Sequence, residues 1–389
     1  MTQIRIPVYR PDLSGNEKRY VSECIDSSWV SSKGDFISRF ENDFARRIGA
    51  PHATSVCNGT AALHLAMLTL GIGPGDEVIV PTLTYIASAN AVAYTGATPV
   101  FADSKIETWQ IDPEDVERKI GPRTKAIMAV HLYGHPCDMD ALRRLCDRYR
   151  LFLIEDCAEA VGTSWKGHAA GTFGDVAAFS FFGNKTITTG EGGMLVTADP
   201  TLFDRARRFK GQGLADHRQY WHDIVGYNYR MTNICAAIGV AQLERLDSIL
   251  VRKRHIANMY REALRGTPTT LHAECVDGHH SYWMVTILVE RQSDRDPLRA
   301  HLAQAGIETR PTFYPVHTMP MYSHRFQRNP VAEDIAWRGI NIPSFPTLLD
   351  EEIRVVADAI KHYFFLNYDA YGRSSHPRHD SKKHTGPST

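Results

Sequence analysis

The chain has 389 residues, 43% of them hydrophobic and 23% charged, and its 44 basic and 44 acidic side chains leave a formal net charge of zero. That balance is ordinary for a globular protein, and it lacks the excess of positive charge that marks partners such as nucleic acid or an acidic membrane surface. No apolar run approaches the roughly 20 residues that span a bilayer, and the opening MTQIRIPVYRPDLSGNEK holds no signal-peptide core, so a cytoplasmic enzyme-sized chain of more than one domain is expected.

From about residue 50 to 200, helix-like and strand-like stretches alternate. GTAALHLAMLTLGI (59–72) reads as a helix ended by glycine. DEVIVP (76–81) is a buried strand, TYIASANAVAYTG (84–96) a helix and TPVFAD (98–103) a strand. TKAIMAVHLYG (124–134) is a strand running into a turn, MDALRRLCDRYR (139–150) an amphipathic helix and LFLIEDCA (151–158) another strand. VAAFSFFGNK (176–185) and GGMLVTA (192–198) complete the series. Short apolar strands separated by helices predict an α/β fold with a mainly parallel sheet covered on both faces. In such sheets ligands bind beyond the carboxyl ends of the strands. Residues 232–266 read as one long helical stretch leading into a smaller α+β unit, with a strand at 281–290 and helices at 296–306 and 350–364. The expected division is a large domain over 1–248, a small C-terminal domain over 249–370 and a disordered polar tail over 371–389. The seven cysteines are scattered without a CxxC pair or zinc-type spacing, so reduced thiols and no metal are expected.

Three segments carry chemistry. The strand LFLI delivers Glu155 and Asp156 to its end, although an aspartate there also caps ordinary turns. Lys185 follows an apolar strand in SFFGNKTITTGEGG (180–193), whose glycines permit a special backbone path. A lysine on a rigid loop beside a buried acid suits Schiff-base chemistry, because burial lowers its pKa from the free value of about 10.4. Asn58, Gly59 and Thr60 lead into a helix, whose start offers unpaired N–H groups and a positive dipole end to a phosphate. Together these describe a cofactor with a phosphate, a ring nitrogen and an aldehyde.

With NGTAALHLA, PTLTYIASANA, LYGHPCDMD, IEDCAEA, SFFGNKTITTGEGG, GYNYRMTNI and FYPVHTMPMY in one chain, the sequence resembles the sugar aminotransferases of the DegT/DnrJ/EryC1/StrS family over residues 5 to 365. The resemblance implies a fold-type I pyridoxal 5'-phosphate (PLP) dependent transferase. FFGNKTITTGEGGM, GYNYRMTNI and YPVHTMP are similar to the branch that aminates C4 of GDP-4-keto-6-deoxy-D-mannose with L-glutamate; another nucleotide-linked keto sugar or a cyclitol ketone is the alternative. A dehydratase and a non-catalytic regulator are the remaining rivals, and Lys185 disfavours the dehydratase, whose branch carries histidine there. The resemblance makes Lys185 the Schiff-base lysine, Asp156 the partner of the pyridine nitrogen and Tyr85 the aromatic over the ring. It puts Gly59, Thr60 and Ser180 on the phosphate, joined by Asn228 from a neighbouring subunit, which implies a homodimer with shared active sites. Glu159 stands where relatives carry glutamine or histidine near the cofactor's phenolic oxygen; a glutamate there would repel a phenolate unless protonated or paired, and packing against the turn is its plain alternative. Arg230 and His317 match positions near the substrate, and the Arg230 fork suits a glutamate carboxylate or a nucleotide phosphate, with a surface salt bridge as its plain alternative.

Overall fold

The computed structural model describes residues 4–324 and 326–368; the tail expected over 371–389 lies outside them. Two helices, α1 (Glu17–Asp26) and α2 (Asp35–Ile48), come before any predicted element. Helix α2 buries Phe40, Phe44 and Ala45 on one face and ends at Gly49, whose φ of 77° makes a left-handed cap. There follow β1 (His52–Val56), α3 (Gly59–Leu70), β2 (Glu77–Pro81), α4 (Ala87–Tyr94), β3 (Thr98–Ala102), α5 (Pro113–Lys119), β4 (Thr124–Val130), α6 (Met139–Tyr149) and β5 (Phe152–Asp156). Helices α3, α5 and α6 each start on an Asn or Asp whose side chain accepts a first-turn N–H: Asn58, Asp112 and Asp138. A short hairpin, β6 (Ser164–Trp165) and β7 (His168–Ala169), precedes β8 (Val176–Ser180), β9 (Gly193–Thr197) and α7 (Pro200–Lys210).

The large sheet has seven strands in the order β1-β9-β8-β5-β4-β2-β3. The strands from β3 to β8 are parallel, while β9 runs antiparallel to both β8 and β1. Successive residues of the central strands feed opposite faces. Val78, Val80, Met128 and Ile154 pack with α3 and α4 residues on one side, while Ile79, Ile127, Ala129 and Leu153 pack with α6 on the other. Each fully buried aliphatic side chain of this kind contributes roughly 1.5–3 kcal/mol.

The stretch expected as one helix over 232–266 is two, α8 (Asn233–Glu244) and α9 (Leu246–Ala263). The break falls at Arg245, whose φ of −108° and ψ of 1° leave the helix and whose guanidinium bonds Asp12 at 2.6 Å. Beyond it come β10 (Thr269–Leu271), β11 (Gly278–His279), β12 (Val285–Val289), α10 (Arg295–Gln304), β13 (Arg310–Pro311), α11 (Pro330–Arg338), β14 (Gly339–Ile342) and α12 (Asp350–Tyr368). A four-stranded antiparallel sheet, β10-β12-β14-β13, has its own core with α9, α10 and α12, and β11 joins the β6–β7 hairpin. The N-terminal segment runs beside this smaller sheet, with Ile6 bridged to Ile307. No helix among the described residues is long and apolar enough to cross a membrane.

Candidate active site

Three parallel strands end at one cavity of about 670 Å³: Val130, Asp156 and Ser180, the last residues of β4, β5 and β8, all line it. This is where a parallel sheet is expected to bind its ligand. The start of α3, the loop before α4 and the turn after β8 complete one wall, and Arg310, Pro311, Phe313 and Asn341 close it from the smaller sheet. Lys185 and Asp156 share this cavity. Strand β8 stops at Ser180, five residues short of the expected end, because the chain folds back so that the Lys185 N–H donates to the Phe182 carbonyl at 2.9 Å. The lysine therefore sits in a turn above the strand.

Asp156 is 4% exposed. Its Oδ2 accepts from the Ser88 hydroxyl at 2.7 Å and its Oδ1 from the Ala158 N–H at 3.1 Å. Burial pushes its carboxyl above the ordinary value, opposed by these two bonds and by the charge of Lys185. A cationic N–H donor beside it would favour the carboxylate. Glu159 is also buried. Its Oε2 accepts from the Tyr133 N–H at 2.7 Å and its Oε1 lies 3.5 Å from Lys185 Nζ. Burial pushes this carboxyl up to about 7 against the pull of Lys185. The Lys185 amine and the Tyr133 N–H are thus the partners that favour the Glu159 carboxylate against its burial.

The start of α3 faces Ser180 so closely that a Cβ on Gly59 would lie 2.6 Å from the Ser180 Cβ. Only a bare backbone fits, which leaves N–H groups and a hydroxyl facing the cavity at the positive end of a helix. Gly193 is confined in the same way, since a Cβ there would meet the Asn58 carbonyl at 2.5 Å. An anion cradle, a buried carboxylate in want of a cationic N–H and an amine surround one space, and this set fits PLP.

Thr60 and Tyr85 line the cavity as well. Tyr85 stands in the loop before α4 rather than inside a helix, 56% exposed, its ring 5.6 Å from that of Phe313. The helix begins only at Ala87; ahead of it the Thr84 and Ser88 hydroxyls bond one another and Ser88 donates to Asp156. Asn228 and Arg230 are not among the lining residues; Asn228 Oδ1 accepts from the Arg230 guanidinium at 3.1 and 3.2 Å near the surface. His317 also stands apart, in a buried network: Nδ1 is 2.6 Å from Thr82 Oγ1 and Nε2 is 3.2 Å from Glu333 Oε1. Ser88, Trp283 and Arg310 enter the cavity without having been anticipated. Ser88 lay in a motif already singled out, whereas Trp283 and Arg310 come from the far end of the chain. A further cluster lies behind Asp156. His131, Glu155 and Cys157 bring ligand atoms within 4.8 Å of one another, but Glu155 already accepts the N–H groups of Gly171, Phe173 and Gly174 and pairs with His131 at 3.0 Å.

The pattern of the DegT/DnrJ/EryC1/StrS aminotransferase family matches residues 11–361. The chain is 61% identical over 359 residues to the GDP-perosamine synthase of Escherichia coli O157:H7, covering 92% of this chain and 98% of the relative. It is 54% identical over 363 residues to the GDP-perosamine synthase of Vibrio cholerae, covering 92% and 99%. The crystal structure of the aminotransferase TlmJ from Streptoalloteichus hindustanus superposes with a TM-score of 0.89 at 33% identity, over 93% of this chain and 99% of that one. With the cavity's residues and these likenesses in agreement, the chain belongs to the DegT/DnrJ/EryC1/StrS aminotransferase family and is a PLP-dependent aminotransferase.

Proposed function

We propose that this enzyme transfers the amino group of L-glutamate to C4 of GDP-4-keto-6-deoxy-D-mannose, giving GDP-perosamine. The observation that carries the chemistry is the meeting of Lys185, Asp156 and Glu159 around one cavity at the strand ends. The choice of sugar rests on the 61% and 54% identity to proteins named for that product. When bound, PLP supplies an electron sink that makes the α-hydrogen of an amino acid acidic.

The chain's own residues do the rest. Lys185 Nζ would hold the cofactor and, when free, would be the base that takes the substrate's α-proton and returns it to the cofactor-bound carbon. Asp156 keeps the ring nitrogen protonated, and Ser88 holds Asp156 in place. Thr60, Ser180 and the first N–H groups of α3 hold the phosphate. Tyr85 covers the ring. Arg310, the one arginine among the cavity's lining residues, receives an anionic group of the substrates. Asn228 and Arg230 act on the cavity of a second copy, which makes the working unit a homodimer. The exposed apolar side chains of the same loop, Tyr220 and Val225, each 85% exposed, supply surface for that contact.

The test is a panel of GDP-, TDP- and UDP-linked keto sugars incubated with glutamate and followed by mass spectrometry. The GDP-linked 4-keto sugar should gain the amine, and Lys185→Ala should abolish turnover. Reaction of a TDP- or UDP-sugar alone would refute the GDP assignment.

A further inference from the structure

The turn that carries Lys185 is held by side chains from far along the chain. The Asn184 carbonyl accepts from the Trp283 indole N–H at 2.6 Å, across 99 residues of sequence. The next carbonyl, that of Lys185 itself, accepts from the Tyr9 hydroxyl, across 176 residues. Trp283 is 4% exposed, and Lys185 Nζ sits 3.9 Å from its ring centroid. Tyr9 is anchored in turn. Lys253 Nζ lies 5.4 Å from the Tyr9 ring centre and donates to the Ser344 carbonyl at 2.7 Å. The neighbouring Val8 N–H donates to Glu308 Oε2 at 2.9 Å. Tyr9 is thereby tied to segments that flank the smaller sheet, and Trp283 stands two residues before its strand β12; that sheet faces Lys185 across the cavity.

We propose that Tyr9 and Trp283 are positioning residues for Lys185, fixing two consecutive peptide groups so that the amine is aimed. A reacting constellation tolerates only about 0.5 Å and 10–20° of error, and a flexible four-carbon stem cannot hold that by itself. Two side-chain donors on adjacent carbonyls restrain rotation of the peptides on either side of the Lys185 Cα. Neither group need touch the substrate for this. The inference rests on Lys185 being the residue that joins the cofactor.

The experiment uses the full chain with Tyr9→Phe, which removes one hydroxyl, and Trp283→Phe, which removes one N–H and part of the ring facing Nζ. Three quantities are read: the rate at which apoenzyme attaches PLP covalently, trapped with borohydride and located by peptide mass; kcat and KM for glutamate; and the melting temperature. Tyr9→Phe should slow attachment and lower kcat about tenfold or more, with KM and melting temperature close to wild type, and Trp283→Phe should lose at least as much. Wild-type attachment rates in both variants would overturn the proposal, as would a fall in kcat that tracks melting temperature while attachment is unchanged. Failure to trap the cofactor on Lys185 in the wild type would be a different result, striking the assignment of the lysine itself.

Discussion

Glu159→Gln tests the electrostatics of the cavity most directly. The substitution keeps a side-chain oxygen to accept from Tyr133 and removes the charge 3.5 Å from Lys185 Nζ. In the folded apoprotein burial raises this carboxyl from 4.5 to about 7. Between those two values the folded state holds a proton that the unfolded chain releases. Wild-type stability from this group is therefore full below about pH 4.5 and declines as pH rises to about 7. At about 1.4 kcal/mol per pH unit the decline totals about 3 kcal/mol. Glutamine has no such slope. The melting temperature of the variant minus that of the wild type should therefore be larger at pH 8 than at pH 5. With an unfolding entropy of about 2.1 cal/mol/K per residue, a 389-residue chain converts about 3 kcal/mol into about 4 °C. Calorimetry of the two apoproteins at both pH values measures the difference. Equal melting differences at pH 5 and pH 8 would show that Glu159 titrates like a solvated carboxyl and that the account of its burial is wrong.

The phosphate cradle predicts that Gly59→Ala, whose methyl would meet Ser180 at 2.6 Å, costs roughly 1–3 kcal/mol of overpacking and raises the Kd for PLP about tenfold or more; a fluorescence titration with wild-type affinity would refute the cradle. Arg310→Gln removes a charged contact worth about 1.5–3 kcal/mol, so KM should rise roughly tenfold or more for glutamate or for the nucleotide sugar, and unchanged values for both would remove Arg310 from substrate binding. Lys253 is 0% exposed and burial lowers its amine from 10.5 to about 7. The unfolded chain binds more protons than the folded one across that window, so the wild type gains about 1.4 kcal/mol per pH unit from this group as pH rises from about 7. Lys253→Met should erase that gain, and parallel melting curves for variant and wild type between pH 7 and 10 would contradict it.

The parts of the site legible in sequence were those whose chemistry and local backbone lie in one short segment. Asp156 closes a strand of apolar residues, and Gly59 follows a side-chain cap that opens a helix. Both positions follow from strand and helix periodicity and from the rule that strand ends carry the ligand. The central strands, whose residues feed both faces, were legible for the same reason. Boundaries were less so, since they depend on contacts across the chain. The helix over 232–266 carries no proline or glycine at its break; Arg245 leaves it in company with Asp12, more than two hundred residues earlier. Helix α2 carries its own periodic signal in Phe40 and Phe44, yet lies before the alternating pattern that first identifies the sheet.

His317 and Glu159 show the two ways a local motif misleads about a residue's surroundings. The stretch around His317 matches family members, but its ring nitrogens meet Thr82, Glu333 and Asn329, partners brought together where the start of α11 meets the residue after β2. Glu159 reads in sequence as a charge at odds with a phenolate, because neither the Tyr133 N–H nor the distance to Lys185 is written nearby in the chain. Tyr9 is the extreme case. It sits in an unremarkable N-terminal segment, and nothing about residues 1–15 points to a lysine 176 positions later. Its place follows only once the segment lies against the smaller sheet and Lys253 is buried beneath its ring. The residues proposed for the cofactor chemistry thus lie in short local segments, whereas the carbonyls on either side of the Lys185 Cα are bonded by side chains from distant ones. For that reason substitutions at Tyr9 and Trp283 should reduce kcat while leaving every recognisable motif intact.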